Sequence, residues 1–149
     1  MGIEIMKNAT DQEVKEILTN SKTVAVIGVS AKPDRASHQV AAYLLEQTHF
    51  DVYLINPAFE GEILGQRVYK SLAELPVTPD IIDVFRKAED MPAVFEKEFP
   101  AIEENCEGVT WWMQLGIRND DVAQVALNQG MKVVMDRCIK VDYMQLVNN

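Results

Sequence analysis

Five short apolar runs, "TVAVIG", "DVYLIN", "DIIDVF", "GVTWWM" and "MKVVMD", recur between segments of helical character, and this alternation limits what the chain can fold into more than any other feature. Each run has the length of a strand and is rich in Val, Ile and aromatic residues. None alternates strictly between apolar and polar residues, so the runs read as strands covered on both faces. Helix is expected over Ser37 to Gln47, in a short turn from Ser71, over Met91 to about Asn105, and over Asn119 to Gln129. Pro92 suits a first helical turn, Asn119 an N-cap, and Gly130 the point where a helix leaves the right-handed region. Pro100 should kink or divide the segment that holds it. Upstream, Thr10 with Glu13 makes a capping-box pattern ahead of Val14, Ile17 and Leu18, so residues 1–20 should carry a short amphipathic helix packed on the core.

Strands that alternate with helices pair in parallel through right-handed crossovers. The expected fold is therefore α/β: a doubly wound, Rossmann-like, five-stranded parallel sheet of order 3-2-1-4-5 with helices on both faces. The stretch "NPAFEGEILGQRVYKSL" reads as an irregular loop. The 149 residues make one domain, 1–149, large enough to bury a core without disulfides.

A net charge of −9 repels nucleic acid and anionic membrane, so any anionic ligand must be held by local groups. Cys106 and Cys138 form no C-x-x-C pattern and the two His have no ligand spacing, so no metal site is expected. No run of about 18 apolar residues and no leader-like N-terminus occurs, which points to a cytoplasmic protein without a membrane partner.

In open parallel sheets ligands bind beyond the carboxyl ends of the strands. After the first run the chain reads "GVSAKPDRAS". Gly28 leaves the strand, but Ser30 and Pro33 stand where the dinucleotide fingerprint G-x-G-x-x-G has its second and third glycines. Ser30 offers a hydroxyl and an N–H, Ser37 can cap the next helix, and Lys32 and Arg35 supply cations. The set suits a phosphate-bearing ligand held partly by side chains, or else amounts to a cap and two solvated charges. After the second run stands Asn56 with Pro57, not the acid that NAD enzymes set against the ribose. The pair either marks a ligand edge tolerant of a ribose phosphate or is a plain turn. NAD is disfavoured at both places.

The motifs "AVIGVSAKPDRAS", "YLLEQTHFDVYLINP", "VYKSLAELP", "DVFR", "WWMQLGI" and "VVMDRC", taken in order over roughly Lys22 to Leu146, resemble the CoA-binding domain family, the YccU-like proteins. That family is similar to the N-terminal CoA-binding domain of the succinyl-CoA synthetase alpha subunit. The resemblance implies coenzyme A as the cofactor. It implies a phosphate loop of Gly28, Val29, Ser30, Lys32, Arg35 and Ser37, an adenosine edge at Asn56 and Pro57, and further contacts from Phe85 and Arg86. Arg86 either faces the ribose phosphate or snorkels to solvent. The departure from the family lies around "EKEFPAIEENCEG", far from the pocket.

Catalytic residues are not evident. His38 has no acid–base partner by spacing, and His49 precedes the second run at its far end, on the surface. Trp111 and Trp112 are adjacent on one strand, point to opposite faces and belong to the core. Gln114 can reach a pantetheine amide. Cys138 lies past the last run between Arg137 and Lys140, cations that favour thiolate, and is a candidate redox partner for the CoA thiol or else a structural residue. The chain thus reads as a binder of CoA or acyl-CoA without chemistry of its own. The alternatives are an NAD(P)-binding enzyme fragment, with Arg35 or Lys32 on a ribose 2′-phosphate, and an interaction module that docks to a separate acyl-CoA enzyme.

Overall fold

The computed structural model describes residues 7–148. Seven strands form one sheet: β1 (Thr23–Ile27), β2 (Asp51–Ile55), β3 (Glu62–Ile63), β4 (Gln66–Tyr69), β5 (Ile81–Val84), β6 (Thr110–Met113) and β7 (Lys132–Val134). Their spatial order is β3-β4-β2-β1-β5-β6-β7. Every pair is parallel except β3 with β4.

The parallel α/β class is as expected, but strand number and order are not. Five strands become seven because part of the presumed irregular loop is a hairpin. Ile63 pairs with Gln66, leaving a two-residue turn at Leu64 and Gly65 with φ of 55° and 74°. Positive φ at both turn positions gives the twist a tight hairpin needs, a role usually signalled by Asn-Gly and here filled by Leu-Gly. β4 then pairs with β2 through Leu54–Val68 and Ile55–Tyr69. It takes the outer edge of β2, so the next apolar run, β5, lies on the opposite side of β1. The five apolar runs therefore stand in the order 2-1-3-4-5 rather than 3-2-1-4-5.

Among the described residues five α-helices flank the sheet: α1 (Asp11–Asn20), α2 (Ala36–Gln47), α3 (Met91–Glu98), α4 (Asp120–Asn128) and α5 (Ile139–Asp142), the last continuing as a π-helical turn over Tyr143–Val147. Thr10 and Glu13 form the expected capping box at α1, and Asn119 Oδ1 accepts from Val122 N to cap α4. Beyond α3 the chain tightens into a 3₁₀ turn over Phe99–Ala101, the division expected at Pro100.

One face of the sheet, with Ile27, Ile82, Trp111 and Met113, packs on residues of α3 and α4; the other, with Val26, Ile81, Trp112 and Val134, packs on α1, α2 and α5. Trp111 and Trp112 are both fully buried, one in each layer. Trp112 Nε1 donates to the Arg137 carbonyl at 2.8 Å. Arg137 in turn binds Asp142 at 2.8 Å and Asp11 at 2.7 Å, tying the start of α1 to α5.

Asp83 interrupts the apolar run of β5 between Val26 and Trp112, and it is fully buried. Neither carboxyl oxygen has a hydrogen-bond partner among the described residues. Burial alone raises its pKa well above the ordinary 3.8, because an unpaired charge in such a place lacks solvation. The folded state therefore holds a proton that the unfolded chain releases near pH 3.8. Its stability contribution is complete below that pH and declines as pH rises toward the folded value. Asp83→Asn, which keeps the neutral shape, is expected to raise the melting temperature over the parent by an increment that grows with pH over the range above 3.8. Thermal scans across that range check this, and a constant increment would rule out a neutral Asp83.

Candidate functional site

The first strand ends where its neighbours crowd it. Gly28 N donates to the Ile55 carbonyl at 2.8 Å, and Phe85 N donates to the Ile27 carbonyl at 2.8 Å. Gly28 has φ of 89°, and a Cβ there would stand 2.5 Å from the Phe85 carbonyl oxygen. Glycine is required twice over, by backbone conformation and by space. The chain then turns into a loop that is bonded to itself. Ser30 N donates to Ser37 Oγ at 2.9 Å, Lys32 N to Ser30 Oγ at 3.1 Å, and His38 Nδ1 lies 2.9 Å from the Ser30 carbonyl.

Ser37 therefore does not cap α2, contrary to expectation. The helix begins at Ala36, the cap position is Arg35, and Ser37 Oγ is occupied in holding Ser30. Among the described residues no side chain caps this helix, so its first N–H groups are left to whatever fills the space before them. That space is a cleft of ≈ 360 Å³ lined by Gly28, Ser30, Lys32, Arg35, Ala36, Ser37 and Phe85. The side chains of Lys32 and Arg35 are exposed at its mouth.

The other candidates divide. Val29 is fully buried, so only its backbone faces the loop. Asn56 Nδ2 donates to the Val29 carbonyl at 2.8 Å and its Oδ1 accepts from Ala58 N at 2.9 Å. It thereby braces the loop from β2, and Pro57 is exposed beside it; neither lines the cleft. Arg86 lies 3.7 Å from Asp90 in a largely exposed pair, an interaction of little energy.

Gln114 is buried, with Oε1 accepting from Ile139 N at 3.2 Å. It shares a second cavity with Phe85, Arg86 and Cys138. The cations beside Cys138 have other partners: Arg137 holds Asp142 and Asp11, which raise its pKa, and Lys140 lies 5.7 Å over the Tyr43 ring. His49 is surface-exposed, and its ring meets the Tyr143 hydroxyl and the Ser21 carbonyl, each at 2.8 Å. Sequence reasoning did not single out Leu115 and Ile117, which line the second cavity; their signal was an apolar pair straddling Gly116 beyond a strand end.

The sequence profile of the CoA binding domain family matches residues 22–144. The chain belongs to that family. It is 36% identical over 136 residues to the uncharacterized protein YneT of Bacillus subtilis, covering 91% of this chain and 96% of that one. A second likeness, 37% over 86 residues, is to the ADP-forming acetate–CoA ligase I subunit alpha of Pyrococcus furiosus; it spans 55% of this chain and only 19% of the subunit. Among solved structures, a hypothetical protein from Pyrococcus horikoshii OT3 superposes with a TM-score of 0.82 at 31% identity, covering 97% of this chain and 99% of its own. A Thermus thermophilus protein superposes with a TM-score of 0.79 at 35% identity, covering 93% and 99%. Among the described residues of this family member, no helix is long and apolar enough to cross a membrane.

The two glycines at sites of opposite crowding separate strain from collision. Gly65→Ala has nothing within 4 Å of its new Cβ and should cost about 1–2 kcal/mol for left-handed backbone alone. Gly28→Ala adds the clash with Phe85 and should cost at least about 3 kcal/mol. Urea unfolding of both variants measures the difference, and equal losses would mean that Phe85 gives way freely.

Proposed function

We propose that this protein binds coenzyme A or an acyl-CoA as a stand-alone module without catalytic chemistry, its phosphates held by Gly28, Ser30, Lys32, Arg35 and the amino end of α2. The observation that carries the reading is the uncapped start of α2 facing a cleft that also presents two exposed cations, in a chain of the CoA binding domain family. Helix N-terminal N–H groups and nearby guanidinium and ammonium groups are the ordinary means of holding phosphate. Because the protein as a whole carries −9, this attraction is local, and an anion is drawn to this point against the general field.

The hydroxyls and the imidazole near the cleft are committed to the loop's own hydrogen bonds, which supports binding rather than nucleophilic catalysis. The exposed Arg35 and Lys32 suit the ribose 3′-phosphate that distinguishes coenzyme A from NAD. No acid follows β2 to repel it, since Asn56 stands there and is bonded to Val29. Asn56 thus supports the site through the loop it braces.

Coenzyme A at 100 times its dissociation constant should stabilise the fold by about 2.7 kcal/mol and raise the melting temperature by roughly 5–10 °C, while NAD at equal concentration leaves it unchanged. Equal shifts, or none with coenzyme A, would overturn the proposal. Arg35→Ala should weaken coenzyme A about tenfold and dephospho-CoA much less if Arg35 meets the 3′-phosphate, the loss expected for one charge-assisted hydrogen bond. Isothermal titration of both ligands reads this, and equal weakening would move Arg35 to the pyrophosphate.

A further inference from the structure

Beside the phosphate cleft lies a second cavity of ≈ 390 Å³, a size usual for small-molecule sites. Ala36 and Phe85 line both spaces, so the second begins where the first ends. Its walls are largely apolar, with Val40 from α2, Leu115 and Ile117 from the segment after β6, and Cys138 from the turn after β7; Arg86 and Lys87, which follow β5, complete the lining. The one buried polar side chain in the lining, Gln114, already accepts from Ile139 N. Leu115 is 67% exposed, more than any other large hydrophobic residue among those described. It belongs to an apolar concavity with Val40, Phe85 and Ile117, not to a scatter of single surface residues, and an apolar concavity of this kind marks a contact surface.

We propose that this cavity holds the acyl group of a short-chain acyl-CoA, so that the preferred ligand is an uncharged aliphatic thioester rather than the free thiol. The inference rests on the coenzyme A reading, because the phosphates in the first cleft are what direct the far end of the ligand into the second. Continuity of the two spaces decides in favour of the ligand's own tail over an unrelated molecule. Arg86 lies 3.7 Å from Asp90 and Lys87 is exposed, so the rest of the lining favours an aliphatic acyl group over a dicarboxylic one, whose terminal charge would lose water against Val40, Leu115 and Ile117. Leu115 gains the cover it lacks.

The test is isothermal titration of the intact protein with coenzyme A, butyryl-CoA and succinyl-CoA. Butyryl-CoA should bind about tenfold more tightly than coenzyme A, the effect of roughly two buried methylenes, and succinyl-CoA no more tightly than coenzyme A. Leu115→Ala, an exposed position that should fold normally, is expected to remove at least threefold of that gain and leave coenzyme A binding intact. Val40→Phe, which fills the cavity from α2, should abolish the gain. Location is read separately through Cys138: butyryl-CoA should slow its alkylation by N-ethylmaleimide, whereas adenosine 3′,5′-bisphosphate, which has no pantetheine arm, should not. Equal affinities for coenzyme A and butyryl-CoA, a preference for succinyl-CoA, or Cys138 equally reactive with and without butyryl-CoA would overturn this inference while leaving the coenzyme A reading standing. Failure to bind any of the three ligands would overturn both.

Discussion

The approach of Gly28 to the Phe85 carbonyl is the constraint on which the functional end of the molecule depends. Three parallel strands finish together there, with β1 held between β2 and β5 by the Gly28–Ile55 and Phe85–Ile27 hydrogen bonds. No side chain fits between β1 and β5 at that level, because a Cβ would lie 2.5 Å from a carbonyl oxygen. The loop can therefore leave β1 only by the left-handed turn that glycine makes without strain. Its direction sets where α2 begins, and the start of α2 sets where the cleft opens.

Rigidity of the loop comes from the protein's own polar groups. Ser37, Ser30, His38 and Asn56 each spend a side-chain hydrogen bond on loop backbone, while Lys32 and Arg35 stay exposed. Some of the polar residues that look like ligand contacts thus shape the site, and the charged ones remain to occupy it. The division follows from reach: short side chains bond within a tight turn, and long cationic ones extend beyond it.

Asp83 is a buried acid in a sheet whose packing is mostly apolar. It lies two residues before Phe85, which follows the strand, and its registered neighbour Trp112 lies two residues before Gln114. The unpartnered carboxyl is thus one row below residues that line the second cavity, on the face shared with α2 and α5. A neutral acid in that row weakens the fold as pH rises, and β5 carries it within the parallel core despite that cost.

Sequence alone determined the local features: the five core strands, the capping box at Thr10, the cap at Asn119, the division at Pro100, and the burial of both tryptophans on opposite faces. Each follows from periodicity or from hydrogen bonds between residues a few positions apart. It also singled out the loop at Gly28, which in the folded protein opens onto a cleft beside the start of α2. Strand order was not legible, because pairing between β4 and β2 depends on a hairpin whose turn, Leu64-Gly65, lacks the usual Asn. The role of Ser37 was equally hidden. A serine near a helix start reads as a cap, and only the path of the loop across α2 showed that its hydroxyl meets Ser30 instead. The second cavity joins residues from α2, from the segments that follow β5 and β6, and from the turn after β7, and its largely apolar wall exists only once the sheet has placed those ends side by side. Spacing within a segment reports what neighbours in the chain can do, whereas a site assembled across strand ends is decided by tertiary pairing.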